Sequence, residues 1–306
     1  MTRLIVALAG AGGDLGARIA RALVAEGAEV RALVRPDADA SLLARTRALG
    51  AMPVAADPRS VPDMAQALEG AACAVSALNG LGEVILGRQS VLLEAALAAG
   101  VPRLIPSDYS EDFTRTTPGR NRNLDLRRDF MARADAMVAG RGLRLTSVLN
   151  GAFMDMLGAE MPIIQPRLRR VLFWRSADQP LDFTLKDDVA RFTARAALDE
   201  TAPRLLRVAG NTVSTADIAR IMAEVTGQRW RLLRAGGLGT LSLMIAVARR
   251  VAPGGTDPFP PWQGMQYMRD MFSGEGQLRP LDNARYPDLR LRSVREHLTG
   301  LEWDAA

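Results

Sequence analysis

The sequence predicts an α/β protein built on a doubly wound parallel sheet with a smaller C-terminal lobe. Two patterns predict it. Short β-branched or apolar runs alternate with helical segments through the first half of the chain, and a glycine cluster stands directly between the first such run and the first helix. Composition adds a third argument. With 306 residues, 48% apolar and 24% charged, the chain has enough apolar surface to bury a large core, which excludes disordered and collagen-like classes. That length suits one sheet-based body of residues 1–152 with an appended lobe of residues 153–306.

The elements follow in order. Arg3 to Ala9 reads as the first strand, and a helix begins at Asp14, where Leu15, Ile19 and Leu23 leave one apolar stripe for the sheet. Val30 to Val34 is the second strand, Ser41 to Leu49 a helix, Met52 to Ala55 the third strand and Val61 to Leu68 a helix. Ala72 to Ser76 gives the fourth strand, followed by a long helix from Glu83 to Ala99, a fifth strand at Arg103 to Pro106, a helix from Leu124 to Val138 and a sixth strand at Arg144 to Leu149. Beyond them, Thr184 with Asp187 and Ser214 with Asp217 read as capping boxes, each opening a helix. Leu205 to Ala209 between them suits a strand that returns residues 182–209 to the sheet, and the glycine- and proline-rich stretch from Ala235 to Pro287 reads as irregular.

The residue inventory excludes several chemistries. Cys73 is the only cysteine and His297 the only histidine, so neither a disulfide framework nor a His/Cys metal site fits within one chain, and no metal is expected. Lys186 is the only lysine, so arginine supplies nearly all of the 39 basic residues behind the net charge of +5. Those arginines are scattered and form no stripe interleaved with aromatics, so no nucleic-acid partner is expected. The N-terminus is apolar for only a few residues before its glycines, and the later apolar run from Leu238 to Ala248 is too short for a bilayer. A cytoplasmic protein without a membrane partner is expected, as a monomer or homodimer. Lys186 and His297 read as helix residues at or near the surface, and Arg167 to Arg170 as a solvated edge. The tract Trp262, Met265, Tyr267, Met268, Met271 and Phe272 reads as core or as the wall of an aromatic pocket.

Chemistry begins at Gly10, Gly12, Gly13, Asp14, Leu15 and Gly16. Glycines at 10, 13 and 16 between strand and helix suit a dinucleotide: the first permits the turn, the second lets backbone approach the pyrophosphate, and the third lets helix and sheet pack closely. The helix N-terminus then presents unpaired N–H groups to the phosphates. At the end of the second strand stands Arg35, where an acidic residue would select NAD. An arginine there suits the 2′-phosphate of NADP, against a reading in which Arg35 is solvated and Asp37 holds the ribose of NAD(H). Asp57 after the third strand either caps the adenine pocket or closes a loop, and Ser76 and Ala77 end the fourth strand on the cofactor side.

Together the GAGGDLG opening, the Val34-Arg35-Pro36 after the second strand, Ile105-Pro-Ser107-Asp-Tyr109, Asn150-Gly-Ala-Phe153 and the DFTxxDVA run at 182–190 resemble the NmrA-like atypical short-chain dehydrogenases, with the isoflavone, pinoresinol and phenylcoumaran reductases among them. The resemblance implies a Rossmann-type body with a substrate lobe, NADP(H) as cofactor, and Ser107, Asn150, Gly151 and Phe153 beside the nicotinamide. It implies an NADPH-dependent reductase of a small aromatic or conjugated molecule. The alternative it carries is a non-catalytic NADP(H)-sensing regulator that docks on a protein partner. Reductases of this group place a catalytic lysine on the helix before the sixth strand, and here that helix has none. Arg127, Arg128 or Arg133 would supply only a fixed cation. Tyr109, Ser107 and Asp108, at the carboxyl end of the fifth strand, are the expected proton donors, against a reading in which they cap a loop and pack a ring.

Overall fold

The computed structural model describes residues 3–158 and 160–303. The chain divides into two compact units, the first comprising Met1–Tyr109, Leu126–Val148 and Val189–Leu206, the second Ser110–Asp125, Leu149–Asp188 and Arg207–Ala306. The chain crosses between them several times, where the sequence suggested a boundary near residue 152 with residues 182–209 returning to the sheet.

In the first unit, β1 (Ile5–Ala9), α1 (Asp14–Ala25), β2 (Glu29–Val34), α2 (Ala40–Ala48), β3 (Met52–Ala55), α3 (Val61–Leu68), β4 (Cys73–Ser76), α4 (Gln89–Ala98), β5 (Arg103–Ile105), α5 (Arg122–Val138, from Leu126 onward) and β6 (Arg144–Leu145) follow one another. The six strands are all parallel, in the order β3-β2-β1-β4-β5-β6. This is the doubly wound Rossmann order expected from strand and helix alternation. Leu8 and Val75, opposite each other in register, are fully buried, as are Ile19 and Leu23 on the sheet-facing stripe of α1. Such an order brings the carboxyl ends of β1 and β4 to the switch point, where ligands bind in open α/β sheets.

Two expectations shift here. The helix expected from Glu83 opens as a π-helical turn over Glu83–Arg88 before α4 begins. Its wider winding puts residues five apart on one face, and Glu83 pairs with Arg88 at 2.8 Å. The sixth strand breaks at Thr146: Arg144–Leu145 stays with β5, whereas β7 (Ser147–Leu149) leaves the sheet, and the Ser147 N–H donates to the Arg204 carbonyl at 2.8 Å. Arg103 is buried and its guanidinium donates to the Ala196 carbonyl at 2.8 Å, satisfying the C-terminal end of α6 (Lys186–Leu198).

The second unit holds β8 (Ala152–Phe153), β9 (Ile164–Gln165), β10 (Arg170–Trp174), β11 (Leu181–Thr184), β13 (Asn211–Val213), α7 (Thr215–Thr226), β14 (Arg231–Gly236), α8 (Leu238–Val251), α9 (Pro261–Ser273) and α10 (Val294–Thr299). The strand expected near Leu205 forms as β12 (Leu205–Arg207), in a two-stranded ladder outside the six-stranded sheet. The Ser214–Asp217 capping box is present, but Thr184 belongs to β11 and its hydroxyl donates to the Asn150 carbonyl at 2.7 Å, so α6 starts at Lys186, one residue later than a Thr184 cap would place it. The stretch from Ala235 to Pro287 is not irregular: it contains α8 and α9. Pro261 opens α9 and Gly274 closes it in the left-handed region, so these two residues mark helix boundaries rather than breaks. Trp262, Met268, Met271 and Phe272 join the core of this unit, and the rings of Trp174 and Phe272 meet at 5.4 Å. No helix among the described residues is long and apolar enough to cross a membrane.

Candidate active site

The glycine loop answers three separate demands. Gly10 turns the chain after β1 with φ of +89°, a region L side chains avoid, and a Cβ there would lie 2.7 Å from the Ala77 carbonyl oxygen. Gly16, in the first turn of α1, passes so close that a Cβ would lie 2.0 Å from the Gly10 carbonyl oxygen. Gly13 is different. It is the N-cap of α1, no side chain caps the helix, and an added Cβ would meet only the Gly10 carbonyl oxygen, at 3.5 Å. The first-turn N–H groups of α1, which have no partner within the helix, therefore stand behind uncrowded space, the arrangement that receives an anion. Gly12 backs onto Leu42, whose Cδ1 would lie 2.7 Å from an added Cβ, and Asp14 is turned outward to Arg18 at 2.7 Å.

Arg35 follows the last residue of β2 with its side chain 65% exposed, paired to Asp37 at 3.6 Å. An exposed pair of this kind holds a guanidinium weakly, so Arg35 can leave it for a phosphate. Asp57 serves its loop: Oδ1 accepts from the Arg59 N–H at 2.9 Å, and its carbonyl accepts from the Ser60 N–H at 3.0 Å, just where Ser60 caps α3. The Ala77 N–H donates to the Ala9 carbonyl at 2.8 Å. Beside it the Ser76 hydroxyl is buried without a hydrogen-bond partner among the described residues, at the strand end where a ligand would supply one. An uncapped helix end, an orphaned hydroxyl and a loosely held arginine fit a phosphorylated dinucleotide.

Around the end of β5, hydrogen bonds are spent within the chain. The Ser107 N–H donates to Gln89 Oε1 at 2.8 Å, and its Oγ donates to the Leu78 carbonyl at 2.6 Å. Asp108 is fully buried; it accepts from Ser147 Oγ at 2.5 Å, and that oxygen accepts from Arg204 Nη1 at 2.7 Å. Burial raises the Asp108 pKa, while Ser147, Arg127 and Arg204 act against the rise. Tyr109 is buried facing Thr193, and burial pushes its pKa up, with Asp108 and Cys73 adding to the effect. A phenol whose proton is held more tightly than in free tyrosine is poorly matched to acid catalysis at neutral pH. This geometry speaks for packing at Tyr109 and for loop anchoring at Ser107 and Asp108.

In the second unit, Asn150 and Gly151 form a rigid turn. Both N–H groups donate to the Ser110 carbonyl, at 2.9 and 3.1 Å, and Asn150 Nδ2 donates to the Gly151 carbonyl at 3.1 Å. Asn150 Oδ1 is left buried without a partner among the described residues. Gly151 has φ of +67°, and a Cβ there would lie 2.4 Å from the Asp182 carbonyl oxygen. Phe153 lies under Lys186, whose Nζ is 5.8 Å from the ring centre.

Sequence reasoning passed over three buried carboxyls in this unit. Asp182, on β11, accepts from Thr212 Oγ1 at 2.5 Å and the Leu278 N–H at 2.7 Å. Asp270, on α9, accepts from Asn121 Nδ2 at 2.8 Å, and burial pushes its pKa up to about 6. Glu111 is 3% exposed and neither carboxyl oxygen has a hydrogen-bond partner among the described residues. Burial, then the charges of Asp270 and Asp182, raise its pKa well above the ordinary carboxylate range. One signal was readable: acids at 108, 111 and 112 follow directly on the carboxyl end of a strand.

Comparison with known proteins gives a consistent result. A family model described as NmrA-like matches residues 2–237. Pinoresinol reductase 1 of Arabidopsis thaliana is 28% identical over 249 residues, covering 74% of this chain and 75% of that protein. Two solved structures share the fold: AtPrR2 with NADP+ and (+)pinoresinol, with a TM-score of 0.79, 21% identity and coverage of 98% and 99% of the two chains; and the leucoanthocyanidin reductase–NADPH complex from Vitis vinifera, with a TM-score of 0.77, 20% identity and coverage of 96% and 97%.

Proposed function

The chain belongs to the NmrA-like family, and on that premise we propose that it is an NADPH-dependent reductase of a small aromatic or conjugated molecule. The observation that carries the reading lies at the carboxyl ends of β1 and β2, where an uncapped helix N-terminus opens in front of Gly13 and Arg35 stands without a strong partner. The relatives support the substrate class, since they are named for reductions of pinoresinol and leucoanthocyanidin.

NADPH, when bound, supplies a hydride from its nicotinamide. The protein binds and orients it. The first-turn N–H groups of α1 hold the pyrophosphate, Gly13 lets it approach, and Arg35 engages the 2′-phosphate in charge-assisted hydrogen bonds. Ser76 offers its unpartnered hydroxyl at the end of β4. Asn150 and Gly151, which the family resemblance places beside the nicotinamide, are held by their hydrogen bonds to the Ser110 carbonyl. Helix α5 has no lysine, so the proton that completes the reduction comes from another group.

Arg35→Ala is expected to weaken NADPH binding about ten- to a hundredfold, the loss of about 1.5–3 kcal/mol for hydrogen bonds to a charged group, and to leave NADH binding unchanged. Calorimetric titration of both cofactors measures this. Equal affinity of the wild type for NADPH and NADH would remove the NADP assignment.

A further inference from the structure

Helix α8 is apolar on both sides. Leu241 and Ile245 are buried in the core of the second unit, with Leu238 and Ala248 packed against it. Leu243, Val247 and Val251 recur at every fourth residue, so they form one stripe along the opposite side, and Met244 stands beside it. All four are exposed, Val251 by 80%. Twelve large apolar side chains are exposed among the described residues; four of them lie on this one helix, and Leu232 and Leu233 lie on β14, which leads into it through Gly236 and Gly237. A helix with apolar residues all round is normally covered on every side, and a contiguous exposed apolar patch marks an interaction surface.

The charge on these two elements is of one sign. Between Glu224 and Asp257 the chain has no acidic residue and five arginines, Arg229, Arg231, Arg234, Arg249 and Arg250. Arg249 lies over the Trp262 ring, 5.0 Å from its centre. The other four enter no ion pair among the described residues. Arg250 is exposed at the end of the stripe, three residues after Val247 and next to Val251. That charge decides between occupants. A second copy docked symmetrically on this face would join two surfaces that carry arginines and no carboxylate, with nothing on α8 or β14 to neutralise them. An anionic bilayer surface offers both things the face lacks: hydrocarbon for the stripe, and phosphates and carboxylates for the arginines.

We infer that α8 docks on an anionic lipid surface, lying parallel to it with Leu243, Val247 and Val251 in the boundary between headgroups and acyl chains and Arg250 among the lipid phosphates. The shortness of the apolar run, from which no membrane partner is expected, excludes a spanning helix and leaves a surface contact open. At 1.5 Å per residue the helix is about 21 Å long, too short to cross a bilayer and long enough to lie on one.

Sedimentation with vesicles tests this. The full chain should pellet with vesicles of three parts phosphatidylcholine to one part phosphatidylserine, less so as salt is raised, and should bind vesicles of phosphatidylcholine alone about tenfold more weakly or worse. Leu243→Asp with Val247→Asp should abolish the binding. Val251→Asp, at the most exposed of these positions, should weaken it, and so should Arg250→Glu, by about tenfold, since it reverses a charge at the lipid surface. All these side chains are exposed, so the variants should keep the wild-type circular dichroism. A wild type that ignores phosphatidylserine vesicles, or binds both kinds equally, overturns the inference. Binding that survives in the folded aspartate variants overturns it too. A wild type that is dimeric by light scattering and monomeric as Leu243→Asp with Val247→Asp assigns the face to a second copy, and binding to poly-glutamate without binding to vesicles assigns it to an acidic protein; either result overturns the lipid contact.

Discussion

Gly13→Val is expected to abolish NADPH binding while the protein remains folded. The position has φ of −84°, ordinary for any residue, and an added Cβ meets nothing nearer than 3.5 Å, so the folded chain accepts a side chain there. The branched side chain instead fills the space before the first-turn N–H groups of α1. If the pyrophosphate loses two or three hydrogen bonds there, each worth about 1.5–3 kcal/mol to a charged partner, binding falls below detection. Circular dichroism establishes the fold, and a fluorescence titration of NADPH reads the affinity. A folded variant that binds NADPH normally would mean that the glycines serve only the turn.

Arg207→Leu carries the largest expected loss of stability. Asp112 is wholly buried at its side chain, and the Arg207 guanidinium, itself largely covered, donates to it at 2.7 Å. Removing the arginine leaves a buried carboxylate with only Thr114 as partner, and breaking a buried pair in this way costs about 3–5 kcal/mol. Urea unfolding should show that loss, and the double variant Arg207→Leu with Asp112→Asn should recover much of it, because no charge is then stranded. A loss below about 1 kcal/mol in the single variant would place the pair among weak surface contacts.

Much of the first unit was legible because its signals are local. Helix α3 and strand β3 fall where the sequence put them, since a proline at the start of α3 and a strand–turn–helix alternation are readable within a few residues. The turn at Gly10 and the close packing at Gly16 were legible for the same reason: a strand, a glycine loop and a helix are consecutive. The break at Thr146 was not, because what draws Ser147 out of the sheet is Arg204, far along the chain. Helices α8 and α9 were missed when their terminal prolines and glycines were read as breakers of the whole tract. At the end of β5 the sequence showed Ser107, Asp108 and Tyr109 but not the partners that surround them. Whether Ser107, Asp108 or Tyr109 has a proton to give depends on Leu78, Ser147 and Thr193, which only the fold brings to them. Glu111 was invisible for the same reason, since its lack of a hydrogen-bond partner among the described residues is a property of packing.

The most direct test follows the hydride itself. Incubating the protein with (+)-pinoresinol, chalcone and menadione and with NADPH carrying deuterium at the nicotinamide C4, then weighing the products by mass spectrometry, reports whether the protein catalyses transfer. The account predicts that deuterium from one face of the nicotinamide appears at carbon in the product of at least one probe, and that the Gly13→Val protein transfers none. Tight NADPH binding with no transfer to any of the three would contradict it and leave a protein that senses the cofactor without using it.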